Sequence, residues 1–278
     1  MKLTMILLLE SFLVFWNVEN FFTPENCDNI GGCNWTANRF HTKARGIGKT
    51  ILSLSDTTRS LPDIIGLCEI DSKKSVLAIA NSSVLKNKKY KAVHYESPDH
   101  RGIDCALLYR GKAPLKTSSI PITINSDTIH TRSILKVEFD SLCVLVVHLP
   151  SKRGQSIKAS HNRKRAMEMI DSIATFTSTP MLVMGDFNDE RSSQSDSIFT
   201  HLKEVPVEGE GSIKFLGKWE KIDRVLEKGC KVRALIATPE FLLTEDKTYG
   251  GTKPLRTNSG PRYLGGLSDH LPIVIKLR

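Results

Sequence analysis

Apolar residues occur along this chain in short unbroken runs that end in acidic, amide or imidazole side chains. The clearest is Met181, Leu182, Val183 and Met184, which lead directly into Gly185, Asp186, Phe187, Asn188 and Asp189. A run this short, with no polar alternation, predicts a strand covered on both faces. Runs over residues 12–18 and 62–69 also read as strands and carry Asn17 and Glu69 at their ends. Residues 90–96 alternate and predict a strand. Residues 103–109 predict another, with Asp104 near its start. Residues 133–139 and 142–148 predict a hairpin over Asp140 and Ser141, with Arg132 ahead of it and His148 closing it. Residues 219–226 predict a strand with Asp223 inside, and 273–277 predict the last. Two helices stand between these strands. Phe40, Ala44, Ile47, Ile51 and Leu54 recur at helical spacing over 40–56. Ala166, Met169, Ile170 and Ile173 mark an inward face over 160–175. Residues 248–266 read as a loop that leads to Ser268, Asp269 and His270.

Composition bounds the class. The chain has 278 residues and 40% apolar content, enough for a large α/β core. No repeat or long linker breaks it, so residues 12–278 are expected to form one domain after a signal-like or disordered start at 1–11. Lys2 and the apolar residues Leu3 to Leu9 resemble a short export signal, but Glu10 interrupts them and no small-residue cleavage pattern follows. A cytoplasmic setting is thereby favoured over a secreted or periplasmic one. Six cysteines do not make a disulfide scaffold at this length. Cys68, Cys105 and Cys143 read as buried thiols. Cys27 and Cys33 are close enough in sequence to pair after export, and no pair has zinc spacing. The net charge of +9 favours an anionic partner.

Each polar outcrop also has a bland reading. Asp186 and Asn188 suit a turn that ends a strand. A calcium loop starting at Asp186 fails, because Arg191 stands where glycine is needed and Ser197 where glutamate is needed. Their shared placement changes the picture. Asn17, Glu69, His148, Asp186 and Asn188 all follow apolar runs, and Asp269 and His270 precede one. Strand ends converge in α/β folds, and ligands bind there. The oxygen donors Asn17, Glu69 and Asp269 suit Mg²⁺ or Mn²⁺ rather than Zn²⁺. Histidines beside spare carboxylates suit acid–base work near neutral pH. Together they point to attack of water on a phosphate ester.

Five motifs carry a family likeness. Trp16-Asn17-Val18-Glu19-Asn20, Ile65-Gly66-Leu67-Cys68-Glu69, Gly185-Asp186-Phe187-Asn188, Ile222-Asp223 and Ser268-Asp269-His270 resemble, in order, those of the endonuclease/exonuclease/phosphatase superfamily, the deoxyribonuclease I-like fold. The resemblance spans nearly the whole chain. It implies a four-layer α/β sandwich of two mixed β-sheets packed face to face with helices outside. It also implies a phosphoesterase dependent on Mg²⁺ or Mn²⁺. Glu69 resembles the principal metal ligand, with Asn17 and Asp269 beside it. Asp186 resembles the residue that orients or deprotonates water, and Asn188 a phosphate contact. His270 and His148 resemble the two histidines that face the phosphate, with Asp223 orienting His270. Arg132 resembles a phosphate-binding arginine, and Asp104 a support for His148. Cys68 departs from the family, which often has glutamine there.

Residues 248–266 show no assignable pattern, so the substrate is less constrained than the reaction. Nucleic acid is the expected partner of a monomeric endonuclease. Arg132, Arg153, Lys253, Arg256 and Arg262 are expected near the site. No apolar hairpin able to enter a bilayer is visible, so no stable membrane association is expected. A phosphatase, a phospholipid phosphodiesterase and a non-catalytic nucleic-acid binder remain as alternatives.

Overall fold

The computed structural model describes residues 11–26, 35–58, 60–151, 157–192 and 197–277. Residues 1–10, Cys27, Cys33 and Arg153 lie outside the described residues. Among the described residues the apolar runs form two mixed sheets. Their strands are β1 (Phe12–Phe21), β2 (Ile64–Ile70), β3 (Lys91–His94), β4 (Asp104–Tyr109), β5 (Lys116–Ile120), β6 (Ile134–Glu138), β7 (Cys143–His148), β8 (Met181–Asp186), β9 (Lys203–Val205), β10 (Val207–Glu208), β11 (Asp223–Lys228), β12 (Val232–Ile236) and β13 (Ile273–Leu277). The seven-stranded sheet has the order β10-β12-β13-β1-β2-β4-β3, and the six-stranded sheet β9-β11-β8-β7-β6-β5. β1 runs parallel to β2 and antiparallel to β13. β8 runs parallel to β7 and antiparallel to β11.

The layers follow from side-chain alternation. Leu182 and Met184 of β8, with Val144 and Val146 of β7, enter a core shared with β1, β2 and β4. Met181 and Val183, with Cys143, Leu145 and Val147, face the other way. There they meet Ala166, Met167, Ile170 and Ala174 of a helix, α3 (Ile157–Thr175). Both faces of β8 are therefore covered, which is why its sequence shows no alternation. Fully burying each such side chain stabilises the fold by roughly 1.5–3 kcal/mol, so neither face tolerates a polar residue cheaply. Helices α1 (Ala37–Thr58) and α2 (Lys73–Ala80) pack on the first sheet. The result is the expected four-layer α/β sandwich.

The structure differs from the sequence pattern in four places. α2 is too short for a clear period. It starts at Ser72, whose hydroxyl accepts the Ser75 N–H at 3.3 Å. The inward face of α3 carries Met167 and Ala174, while Met169 and Ile173 are half-buried. Arg163 and Asp171 share that face because loops need them. Arg163 donates to the Pro150 carbonyl at 3.2 Å, and Asp171 accepts the His201 N–H at 2.9 Å. The run at 219–226 splits, with Lys218–Glu220 pairing Ile213–Phe215 in a hairpin and β11 starting at Asp223. Residues 248–266 are not bare loop. Leu243–Glu245 pairs Thr252–Pro254, and Asn258–Ser259 pairs Arg262–Tyr263.

Candidate active site

Register places three of the candidate side chains in a row. Asp186 closes β8 opposite His148 on one side and opposite Asp223 on the other. Gly185 permits this pairing, because a Cβ there would stand 2.2 Å from the Val147 carbonyl oxygen. The segment Ser268–His270 approaches from the first sheet. The Trp16 indole donates to the His270 carbonyl at 2.8 Å, and the Ser268 hydroxyl donates to the Asn17 carbonyl at 2.6 Å.

These elements converge on one oxygen. Asp186 Oδ2 lies 3.6 Å from His148 Nε2 and 3.9 Å from His270 Nε2. It also accepts the Asn17 amide at 3.0 Å, while Oδ1 accepts the Asn188 N–H at 2.8 Å. His270 Nδ1 lies 2.7 Å from Asp223 Oδ2. Asp186, His148, Asp223 and His270 are all buried.

Their surroundings separate their proton affinities. Burial, and then the Asp223 carboxylate, push Asp186 up to about 7. Burial holds His148 well below the usual histidine range, and Arg132, Arg101 and His270 push the same way. Burial would also depress His270, but Asp223 overrides it through charge and hydrogen bonding, with help from Asp186 and Asp269, and holds it well above that range. The cleft thus pairs a neutral imidazole with a charged one on either side of a carboxylate that exchanges protons near neutral pH.

The oxygen donors sit on two bulges. Register slips between Asn17 and Phe21, and again between Cys68 and Ile70. Glu19, Asn20 and Glu69 take left-handed backbone, with φ of 45°, 45° and 63°. Such a conformation costs roughly 1–2 kcal/mol for a residue with a Cβ. Local bonds hold it. Glu69 Oε2 accepts the Asn20 N–H at 2.8 Å, and Glu19 Oε2 accepts the Thr257 N–H at 2.6 Å. The Asn20 side-chain oxygen is buried without a hydrogen-bond partner among the described residues. Carboxylate and amide oxygens such as those of Glu69, Asp269 and Asn20 are hard donors of the kind Mg²⁺ or Mn²⁺ takes. Asn17 points its amide nitrogen at Glu69 and Asp186, and its oxygen accepts the Glu19 N–H at 3.0 Å. It would have to turn its amide over to act as an oxygen ligand.

Other candidates have protein partners already. Arg132 is buried, donating to the His148 carbonyl at 3.1 Å, to the Leu149 carbonyl and to Asp99 at 3.2 Å. It braces the end of β7 instead of presenting a free guanidinium. The Asn188 side chain donates to the Leu149 carbonyl at 2.9 Å. Asp104 does not support His148: its Oδ2 lies 3.0 Å from His94 Nε2, and His148 Nδ1 has no hydrogen-bond partner among the described residues.

Four more side chains crowd the site. Arg101 looks like turn composition, yet its charge bears on His148. Arg256 donates to Asp269 at 2.9 Å and to Glu19 at 3.3 Å. Lys43 is fully buried, donating to the Glu19 carbonyl at 2.5 Å, and burial lowers it to about 8. Glu19, raised by its own burial and by Asp269, joins the two cations. The sequence carries a signal for Glu19, as the polar neighbour of Asn17, and for Arg256, as a basic residue of the loop that leads to Ser268.

Two mixed sheets with catalytic-type side chains at their seam define the class: a four-layer phosphoesterase fold of the deoxyribonuclease I-like kind. A family model described as the Endonuclease/Exonuclease/phosphatase family matches residues 12–278, and the chain belongs to that family. Its members are hydrolases that generally use divalent metals. A comparison with curated proteins finds no match. Among solved structures, a humanized D. rerio TDP2 aligns with a TM-score of 0.61 at 17% identity, covering 97% of this chain and 99% of that one. The mannosyl-6-phosphatase Bt3783 of Bacteroides thetaiotaomicron aligns at 0.61 and 13% identity, covering 96% and 99%. A functionally unknown conserved protein from Enterococcus faecalis aligns at 0.59 and 16% identity, covering 96% and 99%. At these identities the likeness is one of fold.

Proposed function

We propose that the protein hydrolyses phosphodiester bonds in nucleic acid by attack of water. The observation that carries the reaction is Asp186 Oδ2 set between two imidazole Nε2 atoms at 3.6 and 3.9 Å. Asp186 takes the proton of the attacking water, which its affinity near neutral pH allows. His270, held charged by Asp223, faces the phosphoryl oxygens and stabilises the charge that grows on them. His148, kept neutral, supplies a hydrogen bond to the same group. Asn17 fixes Asp186 through its amide. A divalent cation held by Glu69 and Asp269 would supply Lewis-acid polarisation of the phosphoryl group.

The choice of a polyanionic substrate rests on the charge of +9, with Arg101 and Arg256 bordering the cleft. The relatives include both TDP2 and a mannosyl-6-phosphatase, so fold likeness does not select the substrate. A second reading is favoured by one feature. The hairpin at 213–220 leaves Phe215 58% and Leu216 65% exposed, and Ile213 at its base bridges to His270. The sequence pattern shows no apolar hairpin able to enter a bilayer, and this tip is the feature that bears on that expectation. Such a tip beside the cleft suits a phospholipid phosphodiesterase.

The test is cleavage of plasmid, single-stranded DNA and RNA with Mg²⁺ or Mn²⁺ as salt rises. With about three phosphate contacts, affinity should fall roughly 40-fold from about 50 to 200 mM salt. Intact nucleic acid beside headgroup release from sphingomyelin vesicles, or phosphate release from a phosphomonoester, would overturn the nuclease reading and leave the site assignment standing.

A further inference from the structure

We infer that His94, Glu96 and Asp104 form a second divalent-cation site, outside the catalytic cleft, that takes Zn²⁺ or Mn²⁺. His94 ends β3 and pairs with Ala106 of β4, while Asp104 begins β4. Glu96 follows His94 by two residues. One ligand atom from each of the three lies within 4.8 Å of the others, and His94 Nε2 is 3.0 Å from Asp104 Oδ2.

Two observations separate this cluster from an ordinary clamp between strands. First, Asp104 is held from behind. Its Oδ1 accepts the Ser97 N–H at 2.8 Å and the Ser97 hydroxyl, so Oδ2 is fixed toward His94 and Glu96. Metal-binding carboxylates are commonly oriented by such outer hydrogen bonds. Second, Glu96 has no hydrogen bond or ion pair among the described residues, yet its carboxylate faces that of Asp104. Two carboxylates this close repel each other, and a cation between them relieves that repulsion. A His94–Asp104 pair alone accounts for the bond between β3 and β4, but not for the position of Glu96.

The donor set selects the ion. One imidazole with two carboxylates suits Zn²⁺ or Mn²⁺ better than Mg²⁺, which prefers oxygen alone. Asp104 and the His94 side chain are buried while Glu96 is exposed, so the ion enters past Glu96. The turn between the two strands carries Asp99, bound to Arg132, and Arg101, which bears on His148. An ion at its base would hold this turn against the cleft without touching substrate.

The test uses full-length protein, freed of metal with chelator and dialysed against Zn²⁺. Wild type should bind one more Zn²⁺ per chain than His94→Gln or Glu96→Gln. In each variant affinity at this site should fall about tenfold or more. Zn²⁺ should raise the Tm of wild type more than that of Glu96→Gln, a conservative change at an exposed position. Glu69→Gln should keep this ion, which separates it from the catalytic cation and makes the outcome independent of the substrate. If wild type and both variants bind the same number of Zn²⁺ ions with the same affinity, the inference is overturned. The same holds if His94→Gln lowers Tm while Zn²⁺ leaves wild type unchanged, because the trio is then a hydrogen-bonded clamp.

Discussion

Asp186 shows what single residues contribute. Its carboxyl is buried beside Asp223, and its affinity for a proton rises from 3.8 to about 7. If the ionised form is the working base, kcat/KM should climb with pH and level off above about 7. Asp223→Asn removes the neighbouring charge and should move that rise to lower pH, which a pH–rate profile reads directly. The same variant weakens the hold on His270, so kcat should also drop by roughly 10²–10⁴-fold with little change in KM. A loss confined to KM would make His270 a binding group only. The shift has a cost in stability as well. A carboxylate raised on folding destabilises the native state once ionised, so this penalty grows as pH rises from about 4 to about 7. Asp186→Asn should therefore melt higher than wild type at pH above 7 while being inactive, as calorimetry at two pH values would show.

At the scale of the element, the bulges do the aiming. Glu69 holds φ of 63°, so Glu69→Gly should relieve strain that Glu69→Gln retains. Both should lose activity strongly, but the glycine variant should be more stable by about 1 kcal/mol. Equal melting temperatures would show that the bulge is unstrained. Two glycines give a sharper contrast. At Gly185 an added Cβ meets the Val147 backbone at 2.2 Å, whereas at Gly66 it meets the flexible end of Met184 at 2.7 Å. Gly185→Ala should cost about 3 kcal/mol or more and Gly66→Ala about 1–3. Denaturant midpoints measure the difference. These elements also show what the sequence reveals. β8 and His148 were legible because burial on two faces leaves an unbroken apolar run, and a polar residue at its end stands out. Arg101 is not, because charge in a turn looks the same whether it faces solvent or a cleft. The phase of α3 departs from its hydrophobic spacing because Arg163 and Asp171 face inward to satisfy loop backbone, which that spacing does not register. The tip at Phe215 and Leu216 was missed because three-residue strands carry no period.

Across the whole molecule, the two sheets divide the site. Asn17, Glu69 and His270 come with the first sheet, and His148, Asp186 and Asp223 with the second. Neither sheet alone holds both histidines, so fragments should be inert. The first sheet also has β13 in its interior, between β1 and β12. Removing residues 273–277 should leave one edge of each neighbour bare and yield insoluble protein, a result expression and circular dichroism would show at once. The same placement sets a clock for synthesis. On the ribosome β1 emerges well before β13, so Val14 must wait for Val274 before its antiparallel edge is covered. For the time needed to translate the intervening chain, one of the most apolar stretches in the protein has a bare edge. Through that interval β1 is open to wrong partners, and the cell's chaperones rather than the fold must shield it.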